Sequence, residues 1–242
     1  QQTTFIGYGS LTGDVIKCRK RQIRLRLSIG AAPQARLAVC GGIKMEERLI
    51  DRMMLRQAKI GKASFQMADL AFTLCLFLFA FLIRWKLMPI ESADYLGFLK
   101  GWMEQIRSEG GFPSLGHQIS NYTSPYMYLM CLVSYLTDND LVGLKLVSIV
   151  FDYLGSIAMF LIVYQLTGST KKGILGMAAL LLSPTVILDG AYWCQCDMIY
   201  TAFLLFAFYF FLKNNSCYCF LLVGIAFSFK LQSVFLFFLS CG

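Results

Sequence analysis

Acidic side chains that interrupt apolar stretches are the places to seek chemistry in this chain. A charge beside hydrocarbon is costly and marks a functional position by default. Asp94 stands in Glu91-Ser92-Ala93-Asp94-Tyr95, just beyond an apolar segment. A carboxylate there can accept a proton from a hydroxyl group, with partial burial tuning its hold on that proton. The same position also suits an ordinary acid at a helix N-terminus, favoured by the positive end of the dipole. Asp197 closes the run Tyr192-Trp193-Cys194-Gln195-Cys196-Asp197, between two further apolar stretches. The Trp and Tyr of that run suit a membrane interface, whereas Gln195 and Asp197 are not needed for that purpose. Asp189 lies about two turns earlier and faces the same way if the helix continues. Lys230 and Gln232 interrupt a later apolar run. Lys230 reads either as a lysine snorkelling to the interface or as a cation facing a phosphate. Asp152, in the middle of a long apolar stretch, reads as a structural inter-helix hydrogen bond.

Residue types exclude other chemistries. His117 is the single histidine, which rules out a multi-histidine metal site. Cys194 with Cys196, and Cys217 with Cys219, form C-x-C pairs among the nine cysteines, not the C-x-x-C of common zinc sites. Cys75 and Cys131 sit in apolar runs, where a free cysteine behaves as a small hydrophobe. No glycine-rich phosphate loop or dinucleotide fingerprint stands out.

The elements that position these residues follow from composition. The 242 residues are 57% hydrophobic and 15% charged, with a mean hydropathy of +0.60. A soluble domain is about 45–50% apolar and about 25% charged. A cytosolic enzyme, a secreted disulfide domain and a disordered protein are thereby excluded, and an all-α polytopic transmembrane bundle is predicted. The net charge of +8 is uneven, because residues 1–67 hold 13 Lys/Arg against 4 Asp/Glu. The cluster Lys17, Arg19, Lys20, Arg21, Arg24 and Arg26 could form a nucleic-acid patch. With apolar segments following, it reads instead as a cytoplasmic flank that orients the first span, and no nucleic-acid partner is expected.

Residues 1–44 show little periodicity and contain Gly30, Pro33, Gly41 and Gly42. They read as a non-conforming arm, non-native or disordered, with no signal peptide, since no apolar core follows the first basic cluster. Met45 opens a charged, helix-prone stretch and reads as a natural start, which makes 45–67 the basic cytoplasmic flank. Residues 68–242 then form the transmembrane part. It stops at Ser240-Cys241-Gly242, straight after an apolar run, and is expected to be C-terminally incomplete.

Spans are predicted over Leu70 to Ile83, Leu141 to Thr167, Ile174 to Ala191, Met198 to Leu212 and Phe220 to Leu239. Arg84, Trp85 and Lys86 bound the first span as interface residues. Residues 92–108 carry Leu96, Leu99, Met103 and Ile106 at helical spacing and predict an amphipathic helix along the membrane surface, ended by Gly110-Gly111 and Pro113. Tyr122 to Thr137 is apolar but short and opens with Ser124-Pro125. If it crossed fully, Lys171-Lys172 would fall outside, against the positive-inside tendency. With both its ends outside, the Lys pair is cytoplasmic, and Asp94, Trp193 to Asp197 and Lys230 share the external side.

The ordered runs over roughly residues 67–240 resemble those of bacterial membrane mannosyltransferases related to the PIG-V type enzyme that adds the second mannose to GPI anchors. The runs are Asp94-Tyr95-x-x-Phe98-Leu99-x-x-Trp102, then Ile106 and Gly110-Gly111-Phe112, Leu115, and Asn121-Tyr122-Thr123-Ser124-Pro125-Tyr126-Met127-Tyr128. Lys145-x-x-Ser148-Ile149-x-Phe151-Asp152, Ser183-Pro184, Trp193-Cys194-Gln195-Cys196-Asp197 and Lys230-Leu231-Gln232 follow. Such proteins commonly have Trp-Gly-Gln-x-Asp where this chain has Cys194. The resemblance implies a GT-C-like membrane bundle in the cell envelope, with an essential acid in the first external loop. It implies transfer of a hexose, mannose above all, from a polyprenyl-phosphate donor in the bilayer to a glycan or lipid acceptor of unknown identity. On that resemblance Asp94 is the catalytic acid/base, and Asp197 a second-loop acid that shapes the site or binds a divalent cation, Mg or Mn. Lys230, Gln195, Trp193, Tyr95 and Gln232 are the substrate-binding candidates. A multi-pass secondary transporter or lipid flippase is the alternative, suggested by Asp152 and the break at Ser124-Pro125. An inactive fragment is a third reading. Catalysis puts Asp94 and Asp197 at one surface, whereas transport prefers charges at mid-membrane.

Overall fold

A computed structural model of the chain describes residues 57–60 and 63–234. The chain divides into two units, Gln1–Met53 and Met54–Gly242. The first lies outside the described residues, and with it the expectations for the arm 1–44. Residues 235–242 lie outside them too. All the described residues belong to the second unit.

Two short strands, β1 (Gln57–Ile60) and β2 (Ala63–Gln66), pair antiparallel with Ile60 opposite Ala63. This corrects the helix expected there. The remaining elements are helical. Helix α1 (Met67–Leu87) opens with the Gln66 N–H donating to Asp69 Oδ2 at 3.1 Å. Its 21 residues match the roughly 30 Å hydrocarbon thickness of a bilayer. Phe72, Leu74, Leu78, Phe79 and Leu82 are exposed along it, as a lipid-facing surface requires.

A π-helical turn (Tyr95–Leu99) leads into the amphipathic helix α2 (Lys100–Ser108). Gly110 and Gly111 end it, both at φ +83°. A β-carbon on Gly111 would collide with the Tyr135 ring, so the position accepts only glycine. The apolar stripe around α2 is covered largely by the protein itself, with Leu96 left exposed. Leu99, Met103 and Ile106 pack into one core with Tyr126, Met127 and Met130 of α3 (Ser124–Leu136) and Leu144 of α4 (Asp140–Thr167). The α3 residues that read as a short apolar segment supply the surface that this stripe covers.

Helix α3 has 13 residues, too few to span. Thr123 Oγ1, just before it, donates to the Phe229 carbonyl at 2.8 Å. At its other end Arg107 of α2 donates to the Ser134 carbonyl at 3.0 Å and to Asp140 Oδ1 at 2.9 Å. Helix α4, 28 residues long, is the second clear span, with the Asn139 side chain capping its start and Gly168 its end.

The span expected from Ile174 to Ala191 is broken. Helix α5 (Thr170–Leu181) and the short α6 (Pro184–Ile187), which runs into a π-helical turn (Leu188–Tyr192), are bent by 50°. Pro184 cannot continue α5, and Ser183 before it is extended with ψ 126°. Helix α7 (Asp197–Leu212) follows, then α8 (Ser216–Phe229). With 16 and 14 residues, both fall short of the length that crosses a bilayer, where two spans were predicted; α8 begins four residues before Phe220 and stops at Phe229. Lys230 is extended and a single 3₁₀ turn (Leu231–Ser233) comes next.

Arg84 corrects another expectation. It is not an interface residue but wholly buried, with Nε 2.8 Å from Asp152 Oδ2 of α4. Its Nη2 donates to the Leu181 carbonyl at 2.9 Å. The break at Pro184 leaves that carbonyl without a helical partner, and Arg84 satisfies it. Asp152 is therefore the inter-helix tie that its position suggested. Lys145 works alike at the far end of α1, donating to the Leu87 and Ile90 carbonyls at 3.0 and 2.6 Å.

Candidate functional site

The end of the bundle where α1 and α8 finish, and where α4 and α7 begin, gathers the acids that the sequence marks as out of place. Ser92 orders the first segment. Its hydroxyl donates to the Trp193 carbonyl at 2.8 Å and accepts the Tyr95 N–H at 3.2 Å. That contact draws the Asp94 turn against the loop Trp193–Cys196. The loop is pinned from the other side as Ser148 of α4 donates to the Gln195 carbonyl at 2.7 Å and the Gln195 N–H donates to the Asp189 carbonyl at 2.9 Å. Cys194, buried between these ties, holds φ +62°. This left-handed conformation is strained for a residue with a β-carbon and costs roughly 1–2 kcal/mol.

Gln195 is the centre of the network. Tyr122 Oη donates to its Oε1 at 3.0 Å, and its Nε2 donates to Asp94 Oδ2 at 2.7 Å. The order of donors has a physical cause. Burial pushes the Tyr122 hydroxyl up, with Cys196, Asp197 and Asp94 adding to the effect, so it stays protonated and able to donate. The amide oxygen then faces Tyr122, and the amide nitrogen is left to hold the Asp94 carboxylate. Asp94 Oδ1 has no hydrogen-bond partner among the described residues, and the residue is partly exposed. One carboxylate oxygen is fixed and the other is open.

Two residues beyond Gln195, the Asp197 carboxylate forms an ion pair with the Lys230 ammonium. The backbone places the Cα atoms of 195 and 197 within about 7 Å of each other. Burial pulls the Lys230 ammonium down, but the hydrogen bond and charge of Asp197 outweigh it and leave it above the ordinary lysine value. Lys230 also lies 5.6 Å from the centre of the Tyr200 ring. Asp189 Oδ2 is buried nearby without a hydrogen bond among the described residues.

The structure thus brings Asp94, Gln195, Asp197 and Lys230 to one place. Trp193 contributes its carbonyl to the scaffold while the residue is 42% exposed. Tyr95 is buried in the core beside the Asp94 turn. Gln232 is exposed on the 3₁₀ turn after Lys230. Sequence reasoning missed Tyr122, Ser92 and Ser148 as site residues. Tyr122 and Ser148 stand in runs that drew notice, but nothing in their spacing says that they meet Gln195.

Asp197 is the residue implied to hold a divalent cation. Lys230 already pairs with that carboxylate, and no three His, Cys, Asp or Glu side chains converge among the described residues. Cys194 and Cys196 offer no thiolate, because burial pushes both thiols up to about 12. No protein family, curated protein or solved structure matches this chain.

Proposed function

We propose that this chain forms the site of a membrane glycosyltransferase. It moves a hexose, mannose by the resemblance of the sequence runs, from a polyprenyl-phosphate donor to a hydroxyl of a glycan or lipid acceptor on the extracytoplasmic side. The observation that carries the reading is Asp94, held by Gln195 through one oxygen and open at the other, with a lysine held by Asp197 two residues along the same loop. In the step, the acceptor oxygen attacks the anomeric carbon and its proton passes to Asp94 Oδ1. The bond between that carbon and the phosphate oxygen breaks, and the electron pair leaves with the polyprenyl phosphate. Lys230 meets the phosphate in the bound donor and in the leaving group alike, and Asp197 holds the ammonium in place until the phosphate arrives. The left-handed Cys194 adds support, since it stands where the resembling proteins have glycine, the residue that adopts this conformation most readily. A transporter needs mid-membrane charges that can change partners. Arg84 is instead held by Asp152 and by the carbonyls of Ala80 and Leu181.

Kinetics with a radiolabelled polyprenyl-phosphate sugar test the roles. Lys230→Ala is expected to raise KM for the donor by about tenfold or more, the worth of a charge-assisted hydrogen bond, with a smaller change in kcat. An unchanged donor KM would remove Lys230 from the phosphate site. Sidedness is tested by cysteine labelling in intact cells on a cysteine-free background. Asp138→Cys is expected to react with a membrane-impermeant reagent and Lys171→Cys to be protected. The opposite pattern would put the site in the cytoplasm and end the extracytoplasmic assignment.

A further inference from the structure

Beside the catalytic network lies a pocket of about 340 Å³, within the ~300–1,000 Å³ range of small-molecule sites. Its wall includes Gln118, Tyr122, Thr123, Ser124 and Tyr128, with His117 at one side. No Lys, Arg, Asp or Glu lines it. His117 Nε2 lies 3.4 Å from Oε1 of Glu109, which is not part of the wall. A phosphate has no lysine or arginine to meet here, and an amine no carboxylate in the wall. The wall offers two tyrosines and the apolar Leu115, Ile119 and Met127 among amide and hydroxyl groups. Such a lining matches a molecule with apolar C–H faces and many neutral hydroxyls. Several of these groups are free to bind. The Tyr128 hydroxyl, the Ser124 hydroxyl and the Gln118 amide oxygen make no hydrogen bond among the described residues, and all three residues are exposed.

The position matters as much as the lining. Tyr122 is shared, with its side chain on the pocket wall and its hydroxyl on Gln195, which in turn holds Asp94. We infer that this pocket is the subsite for a neutral sugar of the acceptor, which it seats on the far side of Tyr122 from the donor phosphate. The acceptor assignment rests on the transferase reading, while the binding of a neutral sugar can be measured by itself.

The experiment uses saturation-transfer NMR on the purified protein in nanodiscs, with methyl α-mannoside as probe and mannose 6-phosphate as its anionic counterpart. The neutral glycoside is expected to give signals that are lost in Tyr128→Ala and in Gln118→Ala. Both side chains are exposed, so neither change should unfold the protein, and the unfolding midpoint checks this. Absent signals in the wild type, signals that survive both variants, or stronger signals from the phosphate sugar would each overturn the subsite. Transfer assays separate this inference from the broader one. If Tyr128→Ala abolishes glycoside binding and the wild type transfers no sugar, the sugar site stands and the transferase reading falls. If the wild type transfers sugar and Tyr128→Ala leaves the acceptor KM unchanged, the transferase reading stands and the subsite falls.

Discussion

Asp94→Asn is expected to lower sugar transfer by about 10²–10⁴-fold, the usual cost of losing a general base, while the protein remains folded. Asn is nearly isosteric with Asp, and its amide oxygen can still accept the Gln195 Nε2 hydrogen bond now made to Asp94 Oδ2 at 2.7 Å. The Ser92–Trp193 and Ser148–Gln195 ties are untouched, so the loop keeps its shape. What is lost is the open oxygen as a proton acceptor. The effect should therefore fall on kcat more than on KM for either substrate. Steady-state kinetics on matched preparations, with unfolding midpoints measured alongside, decide it. Near-normal turnover would show that Asp94 is not the base.

The second large effect concerns the frame. Arg84→Met is expected to destabilise the protein by about 3–5 kcal/mol, because it leaves the Asp152 carboxylate buried without its counter-charge. Arg84 and Asp152 are both fully buried, so solvent does not relieve the loss. Arg84→Met also strands the Leu181 carbonyl at the helix break. Combining it with Asp152→Leu should recover much of the loss, since replacing both charges by apolar groups is often neutral or stabilising. Thermal unfolding in nanodiscs compares the two. A single variant as stable as the double one would mean that the pair carries no structural load, and would reopen a mobile, transport-like role for these charges.

Much of the frame was legible because apolar length and charge position are properties of sequence. The two clear spans follow from long apolar runs, the second interrupted by Lys145 and Asp152, and the shortness of Tyr122 to Thr137 disqualified α3 as a third. The break at Pro184 was readable too, since proline and the residue before it resist a continuing helix, yet the apolar run on either side masked it. Arg84 shows where reading fails. A basic residue at the end of an apolar stretch looks like an interface anchor, and only the fold reveals that Asp152, 68 positions away, meets it. The candidate site divides in the same manner. Asp94, Asp197 and Lys230 were visible as charges out of place among apolar neighbours. The pairing of Asp197 with Lys230, and the role of Tyr122 in orienting Gln195, are long-range facts that no local pattern encodes. What covers the α2 stripe was hidden for a similar reason, because an amphipathic stripe states that one face is covered and not by what.

The central claim is most directly tested by the fate of a labelled donor. The purified protein, in nanodiscs of lipid from its own cells so that native acceptors are present, is given mannosyl-phosphoryl-polyprenol radiolabelled in the sugar. Wild-type protein is expected to move the label out of the donor and into a second product, while Asp94→Asn leaves it in place. A donor that stays intact with both proteins, or that both consume at the same rate, would contradict the account.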